Sequence, residues 1–207
     1  MIRRIPSGAR NDLPVNTGQV SVGGHAPAAT PLVTEAVESA RRGEARGWDL
    51  LFDRFHPVVR RYAMARVGDA HAADEVAQEV FVAAVTAIGR LRDRSEPATE
   101  AWFLRITRHK LADRARRLAR DGRRLPAEVT VADPAEVVSQ RLDASAVRLA
   151  METLTEDQRD VLVRRFVLDQ SLEEVATATR RPVGAVKSLQ HRALAALARY
   201  MKVEGTR

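Results

Sequence analysis

From Leu32 onward the large apolar residues recur at spacings of three and four. Trp48, Leu51, Phe52, Phe55, Val58, Val59 and Tyr62 make the first such stripe, which predicts a helix with one buried face. Gly68-Asp69 interrupts it. A second stripe, Ala73, Ala77, Val80, Ala84 and Ile88, predicts a second helix. Residues 89–100 carry Pro97 and small polar side chains and read as a loop. A third helix is expected from about Ala101, with Trp102, Ile106 and Leu111 to Leu118, before Asp121-Gly122 ends it.

Residues 121–140 hold Gly122, Pro126 and Pro134, show no period, and read as a linker. Helices resume near Leu142. Thr155-Glu156-Asp157-Gln158 and Ser171-Leu172-Glu173-Glu174 each fit a capping box, an N-cap hydroxyl with Gln or Glu three residues on. Arg180-Arg181-Pro182 ends the short helix that Ser171 opens, and Pro182 suits the first turn of the next. Val175 and Ala176 would pack that short helix against one from about Val183 to Arg199, through Val186, Leu189, Ala193 and Leu197. The expected fold class is all-α: two small helical domains joined by a flexible linker, the C-terminal one with a helix-turn-helix. Residues 1–33 contain Gly8, Gly18, Gly23, Gly24, Pro6, Pro14, Pro27 and Pro31 and no aromatic residue, so they are expected to be a disordered extension.

Composition narrows this picture. Aromatic residues make up only 4%, so the core must be mostly Ala, Val and Leu, which favours helices over a sheet. The chain has no cysteine, which excludes disulfide scaffolds, Cys-based zinc sites and thiol nucleophiles. No apolar stretch is long enough to span a bilayer and no signal-peptide core follows Met1, so the expected compartment is the cytoplasm, with no membrane partner. Lys and Arg number 34 against 27 Asp and Glu, a net charge of +7 that points to a polyanionic partner, nucleic acid first.

The charge is unevenly placed. Residues 101–124 hold nine basic side chains (Arg105, Arg108, Lys110, Arg114, Arg116, Arg117, Arg120, Arg123 and Arg124) against Asp113 and Asp121. Residues 180–207 hold seven, among them Arg181, Lys187 and Arg192, against Glu204. Two basic runs in different domains suit a protein that grips one DNA at two separated places. Residues 69–79 are the opposite, with Asp69, Asp74, Glu75 and Glu79 and no Lys or Arg, a patch expected to face a basic protein surface or solvent.

Within the helix-turn-helix, Lys187, Ser188, His191 and Arg192 occupy positions i, i+1, i+4 and i+5, which cluster on one outer face of a helix. Two cations, a hydroxyl and an imidazole are groups that reach phosphates and base edges in a major groove. Catalysis finds little support. Asp74 and Glu75 are adjacent and point in different directions on a helix, so they do not converge on a metal. His109 and His191 lack the Cys or paired His that zinc requires. No phosphate-cradling Gly loop, nucleotide fingerprint or Ser/His/Asp arrangement is present, so no metal, cofactor or enzymatic activity is expected. A regulator that binds operator DNA through the helix-turn-helix without polymerase is the alternative; it leaves the basic run at 101–124 and the acidic helix before it unexplained.

The segment Asp74-Glu75-Val76-Ala77-Gln78-Glu79-Val80-Phe81 resembles the acidic helix with which extracytoplasmic-function sigma factors bind bacterial RNA polymerase. Trp102-Phe103-Leu104-Arg105-Ile106, followed by Asp113, is similar to their promoter-melting, minus-ten-reading helix. Leu154 to Arg159, Ser171 to Ala176, Gly184 to Ser188 and His191-Arg192-Ala193 resemble their minus-thirty-five-reading domain. The His109-Lys110 and Gln190-His191-Arg192-Ala193-Leu194 stretches are similar to an actinobacterial sigma-D-like subgroup. The ordered set covers roughly residues 34–200.

The resemblance implies sigma domain 2 over residues 34–120, a linker over 121–140, sigma domain 4 over 141–200 and a tail over 201–207. It implies that Asp74, Glu75, Gln78, Glu79 and Phe81 bind the polymerase core. Arg92, Arg94 and Ser95 would pocket a flipped minus-ten base. Trp102, Arg105, His109, Lys110, Asp113, Arg116 and Arg117 would border the separated strands. Arg181, Lys187, Ser188, His191 and Arg192 would read the minus-thirty-five element. Linker acids Asp121, Glu128, Asp133 and Glu136 would thread toward the active-site cleft. Implied partners are the clamp of the largest polymerase subunit, the flap of the second-largest, and promoter DNA; the resemblance also admits an anti-sigma factor. The chain departs from the family pattern in two places. His109 stands where many members have Asn. Leu189-Gln190 stands where many have Arg-Leu, which removes one phosphate-contacting cation.

Overall fold

The computed structural model describes residues 33–122 and 147–204, and every regular element among them is helical. In chain order these are α1 (Val33–Arg41), α2 (Ala45–Val67), α3 (Ala70–Ala87), a 3-10 turn (Ile88–Arg90), α4 (Glu96–Arg120), α5 (residues 147–152), α6 (Glu156–Phe166), α7 (Leu172–Thr179) and α8 (Val183–Glu204). The expected N-terminal extension as far as residue 32, the expected linker from 123 onward, the start of the helix placed near Leu142, and residues 205–207 lie outside the described residues.

The apolar pattern that begins at Leu32 is split between two helices. Gly43 adopts a left-handed φ of 81° between them. Gly47 lets them cross closely: a Cβ there would lie 2.3 Å from the Ala40 backbone nitrogen and 2.7 Å from the Ala36 carbonyl oxygen. Pro57 sits inside α2 without ending it. It is exposed, so the carbonyl of Asp53 that it cannot serve faces water. The Gly68-Asp69 break works as a C-cap followed by an N-cap. Gly68 is left-handed with its N–H on Met64 O, and the Asp69 carboxylate accepts from the Ala72 N–H.

α4 begins at Glu96, several residues earlier than the expected start near Ala101. Proline is read as loop punctuation, yet Pro97 lies in the first turn, where no intrahelical donor is required of it. Only residues 91–95 separate the 3-10 turn from α4. Both predicted capping boxes form, with Thr155 and Gln158 exchanging bonds at the start of α6 and Ser171 and Glu174 at the start of α7. Pro182 is not in the first turn of α8 but just before it, where its carbonyl accepts from the N–H groups of Ala185 and Val186.

The largest core is built where α2, α3 and α4 meet. Leu51, Phe55, Val59 and Tyr62 pack against Val76, Val80, Phe103 and Leu104. Each such side chain contributes roughly 1.5–3 kcal/mol of gross burial. Two smaller cores serve the C-terminal helices: Val161, Val175, Ala176, Val186 and Leu189 in one, Leu154, Leu162 and Ala193 in the other. Three successive residues of α6 therefore serve three clusters, because Val163 belongs to the first. α6 ties the C-terminal helices onto α2 and α4, and the described residues form one compact unit. A shared buried surface between the two halves is not announced by periodicity along the chain.

Candidate nucleic-acid interface

α7 and α8 are joined by a turn whose geometry is set by Arg180. That residue is left-handed at φ 55°, and the Arg181 N–H reaches back to Ala176 O at 2.9 Å. Val175, Val186 and Ala193 are buried, and the opposite side of α8 follows from that. Lys187, Ser188, His191 and Arg192 are all exposed and line one shallow hollow, the face expected from their spacing. The Ser188 hydroxyl donates to Gly184 O at 3.0 Å, and the Arg192 Nε to Ser188 O at 3.2 Å. No ion pair or hydrogen bond ties up the side chains of Lys187 and His191 among the described residues, which leaves them open to an incoming acceptor.

Arg181 is different: its guanidinium is held 2.6 Å from Asp157 of α6. Leu189 is in the core, as the inward stripe requires. Gln190 accepts from the Arg165 Nε at 3.3 Å, which braces α8 against α6.

The basic helix α4 divides its charge among three directions. Toward α3, Lys110 lies 3.8 Å from Glu79, Arg117 3.3 Å from Glu79 and Arg114 2.9 Å from Glu75. Toward α6, Arg108 meets Glu156, Asp157 and Asp160 at 3.6, 3.4 and 3.3 Å. Toward solvent stand Arg105, His109, Arg116 and Arg120, all exposed and, at 100° per residue, within about 60° of one another around the helix. Arg116 pairs with Asp113 one turn back. Arg105 and Arg120 have no carboxylate partner among the described residues. As far as Arg120 this basic run folds into a helix whose open cationic face is a narrow stripe.

The acidic run is equally changed by its surroundings. Asp69 is spent on capping α3. Asp74 accepts from the Arg60 Nε at 2.5 Å, and that hydrogen bond holds its carboxyl below the usual range. Glu75 and Glu79 face the α4 cations, with His71 Nδ1 also 3.3 Å from Glu75. The acids therefore have cations of α2 and α4 opposite them, while Asp74, Glu75 and Glu79 keep 36–45% of their side-chain surface exposed. Gln78 is exposed. With Val82 (70% exposed) and Val85 (56%) it forms a stripe that the acidic motif did not reveal. The signal was there, since both valines fall off the buried stripe of Ala73, Ala77, Val80 and Ala84.

Two aromatic site candidates are buried. Phe81 is buried with its ring 4.9 Å from Phe52 and 5.0 Å from Phe103. Trp102 is 6% exposed and meets Phe103 edge-on at 4.9 Å. Both complete the core in this conformation, because burying their large apolar area outweighs presenting it to water. In the preceding turn Arg92 is exposed, whereas Arg94 is fixed to α1, pairing with Glu38 while its carbonyl accepts from Thr34 Oγ1 at 3.2 Å. Ser95 stands just before α4 with its N–H on Asp93 at 3.0 Å.

Sequence reasoning missed a buried polar cluster where α6 meets α2. Tyr62, fully buried, donates from its hydroxyl to Asp160 Oδ1 at 2.6 Å, and Asp160 also accepts from the Arg164 Nε at 3.1 Å. Arg66 donates to Tyr62 Oη at 3.3 Å and to both oxygens of Glu156 at 3.0 and 2.7 Å. Burial, and then the Asp160 carboxylate, push the Tyr62 hydroxyl far above its ordinary range. No group of three His, Cys, Asp or Glu able to hold a metal occurs among the described residues, and no described helix is long and apolar enough to cross a membrane.

Comparison with known proteins places two families on this geometry. Sigma-70 region 2 matches residues 51–121, which run from α2 to the end of α4, and Sigma-70, region 4 matches residues 150–199, which span α6 to α8. The chain is 36% identical over 168 residues to the ECF RNA polymerase sigma factor SigD of Mycobacterium tuberculosis, covering 76% of this chain and 78% of that one. It is 32% identical over 185 residues to the ECF RNA polymerase sigma factor ShbA of Streptomyces griseus, covering 81% and 94%. Among solved structures, CnrH in complex with the cytosolic domain of CnrY superposes with a TM-score of 0.59 at 26% identity, over 82% of this chain and 97% of that one. RpoE of Bartonella quintana, in complex with the anti-sigma factor NepR, shares the fold with a TM-score of 0.54 at 23% identity, over 75% and 96%.

Proposed function

The chain belongs to the extracytoplasmic-function RNA polymerase sigma factors, and we propose that it gives polymerase its promoter specificity through three separately placed surfaces. As a sigma factor it binds the polymerase core and directs promoter recognition, DNA melting and transcription initiation. Residues 34–120 act as domain 2 and residues 141–200 as domain 4, joined by the linker at 121–140. On α8, Lys187, Ser188, His191 and Arg192 enter the major groove at the minus-thirty-five element. On α4, the stripe of Arg105, His109 and Arg116, with Arg92 and Ser95 in the turn before it, follows the minus-ten strand. The α3 face carrying Gln78, flanked by Asp74, Glu75 and Glu79, meets the polymerase clamp. The protein makes and breaks no covalent bond. Melting comes from capturing an unstacked base, which needs contacts rather than hydrolysis.

The observation that carries this reading is the distribution of unpaired cations. Most basic residues of α4 are neutralised from within, yet α4 and α8 each keep one open cationic face. Two small DNA surfaces bind weakly alone. Core, by fixing their spacing, raises the effective concentration of the second contact. The operator-binding regulator leaves the α3 surface and the α4 stripe without a role.

Run-off transcription with purified core on a pool of genomic promoters tests the proposal. The protein should confer start-site selectivity on core. Lys187→Ala with Arg192→Ala should lose promoter binding and flatten its salt dependence by a slope of about 2, while core binding persists. A chain that core does not retain, or a double variant that loses core binding equally, overturns the assignment.

A further inference from the structure

α1 lies ahead of residues 51–121, the stretch matched by Sigma-70 region 2, and contributes no candidate DNA contact. Its faces have different partners. Ala36, Val37 and Ala40 are buried, and Gly47 brings α2 close to them. Thr34, Glu38 and Arg41, at i, i+4 and i+7, lie within about 60° of one another on another face. All three bond to the short segment between α3 and α4. The Arg41 guanidinium donates to Gly89 O at 3.2 Å, the Thr34 hydroxyl donates to Arg94 O at 3.2 Å, and Glu38 pairs with the Arg94 side chain. The far end of the segment is tied to α2, where Arg54 pairs with Glu96.

The segment sorts its own side chains in the same way. Ile88 and Leu91 are buried in the core, while Arg90, Arg92 and Ser95 are exposed. Arg94 turns back onto α1, although its place beside Arg92 and Ser95 in the sequence suggested a base contact. Asp93 accepts from the Ser95 N–H at 3.0 Å, which closes the bend ahead of α4. A segment that had to be ordered when a base entered would lose affinity in proportion to its disordered fraction. The bonds from α1 supply that order beforehand.

We propose that Thr34, Glu38 and Arg41 are positioning residues for the minus-ten contact: they hold residues 89–94 in the shape that receives an unstacked base, and so set its affinity and selectivity without touching DNA. Arg94 belongs with them rather than with the DNA contacts. The base is met by Arg92 and Ser95, which the bracing leaves facing outward. The Arg94 and Glu38 side chains are 36% and 37% exposed, and a pair so exposed adds little to global stability. Its effect is local, on a segment with few bonds of its own. The ligand in this inference, single-stranded minus-ten DNA, rests on the sigma-factor reading; the bracing by α1 does not.

Thr34→Val with Glu38→Gln removes two of the three braces and keeps side-chain size. In the free full chain, amide hydrogen exchange over residues 89–95 should quicken roughly fivefold, with exchange in α2 unchanged. Holoenzyme carrying the double variant should bind a single-stranded minus-ten oligonucleotide, taken from the promoter that wild type uses best in run-off transcription, roughly fivefold more weakly. Its preference for that sequence over oligonucleotides substituted at the minus-ten bases should shrink, while retention by core and binding to the minus-thirty-five duplex hold. Arg42→Ala breaks the exposed pair of Arg42 with Glu44 just past α1 and should change neither exchange nor oligonucleotide binding. Glu38→Arg with Arg94→Glu should bind the oligonucleotide better than Arg94→Glu alone, because the pair is restored with its sign reversed. Unaltered exchange or oligonucleotide affinity in the double variant overturns the proposal, as does an equal loss in Arg42→Ala. A swapped pair no better than Arg94→Glu places Arg94 on the DNA and overturns its assignment. Wild-type holoenzyme that binds no oligonucleotide sinks the sigma-factor reading instead, and the exchange measured on the free chain tells the two failures apart.

Discussion

Replacing Tyr62 with Phe removes one oxygen from the junction of α2 and α6 and leaves the rest of the ring in place. The hydroxyl is fully buried, donates to Asp160 at 2.6 Å and accepts from Arg66 at 3.3 Å. A hydrogen bond to a charged group contributes about 1.5–3 kcal/mol. Part of this is returned, because the phenyl ring has no hydroxyl to desolvate and Asp160 keeps Arg164 and Arg108. The expected net loss is about 1–2 kcal/mol. With a urea slope of roughly 2 kcal/mol per molar, the unfolding midpoint should fall by about 0.5–1 M at neutral pH. The pH dependence supplies the sign. The folded hydroxyl ionises far above the ordinary phenol range, so its contribution is complete below about pH 10, where an unfolded Tyr begins to ionise, and is lost as pH rises further. The stability gap between wild type and Tyr62→Phe should therefore be flat from neutral to about pH 10 and shrink above it. Equal midpoints at pH 7, or a gap that widens in alkali, would refute this account of the cluster.

Two other substitutions probe different links. Gly47→Ala should lower the melting temperature by several degrees in differential scanning calorimetry, although alanine gains about 1 kcal/mol over glycine in a helix. The added methyl would meet the backbone of α1 rather than a yielding side chain, and overpacking costs about 1–3 kcal/mol; a raised melting temperature would show that α1 moves aside freely. Gln78→Ala with Val82→Ala changes only exposed atoms of α3, so stability should shift by less than about 0.5 kcal/mol. Retention by polymerase core in gel filtration should nevertheless drop, and unchanged retention would move the core-binding surface elsewhere. The pair is a cleaner probe than reversing Glu79, which would set a third cation against Lys110 and Arg117.

The local structure of this chain was written in short stretches of residues. The capping boxes at Thr155 and Ser171, the Gly68-Asp69 break and the outward face of α8 all depend on groups within one or two helical turns of each other. Spacing along the sequence specifies such neighbours directly. The start of α4 was harder to see, since the same proline suits both a loop and a first helical turn.

What the sequence could not declare is which charged and aromatic residues are free to act. Asp74 meets Arg60, Glu75 meets Arg114, Arg108 meets three acids of α6, and Trp102 and Phe81 turn into the core. Those outcomes depend on which helix packs opposite, a partner between 14 and 52 residues away for these ion pairs. Periodicity fixes the face a residue occupies on its own helix, because that follows from backbone geometry. Whether the face meets water, a cation or another core is decided by tertiary packing, and so is the open DNA surface left to this protein.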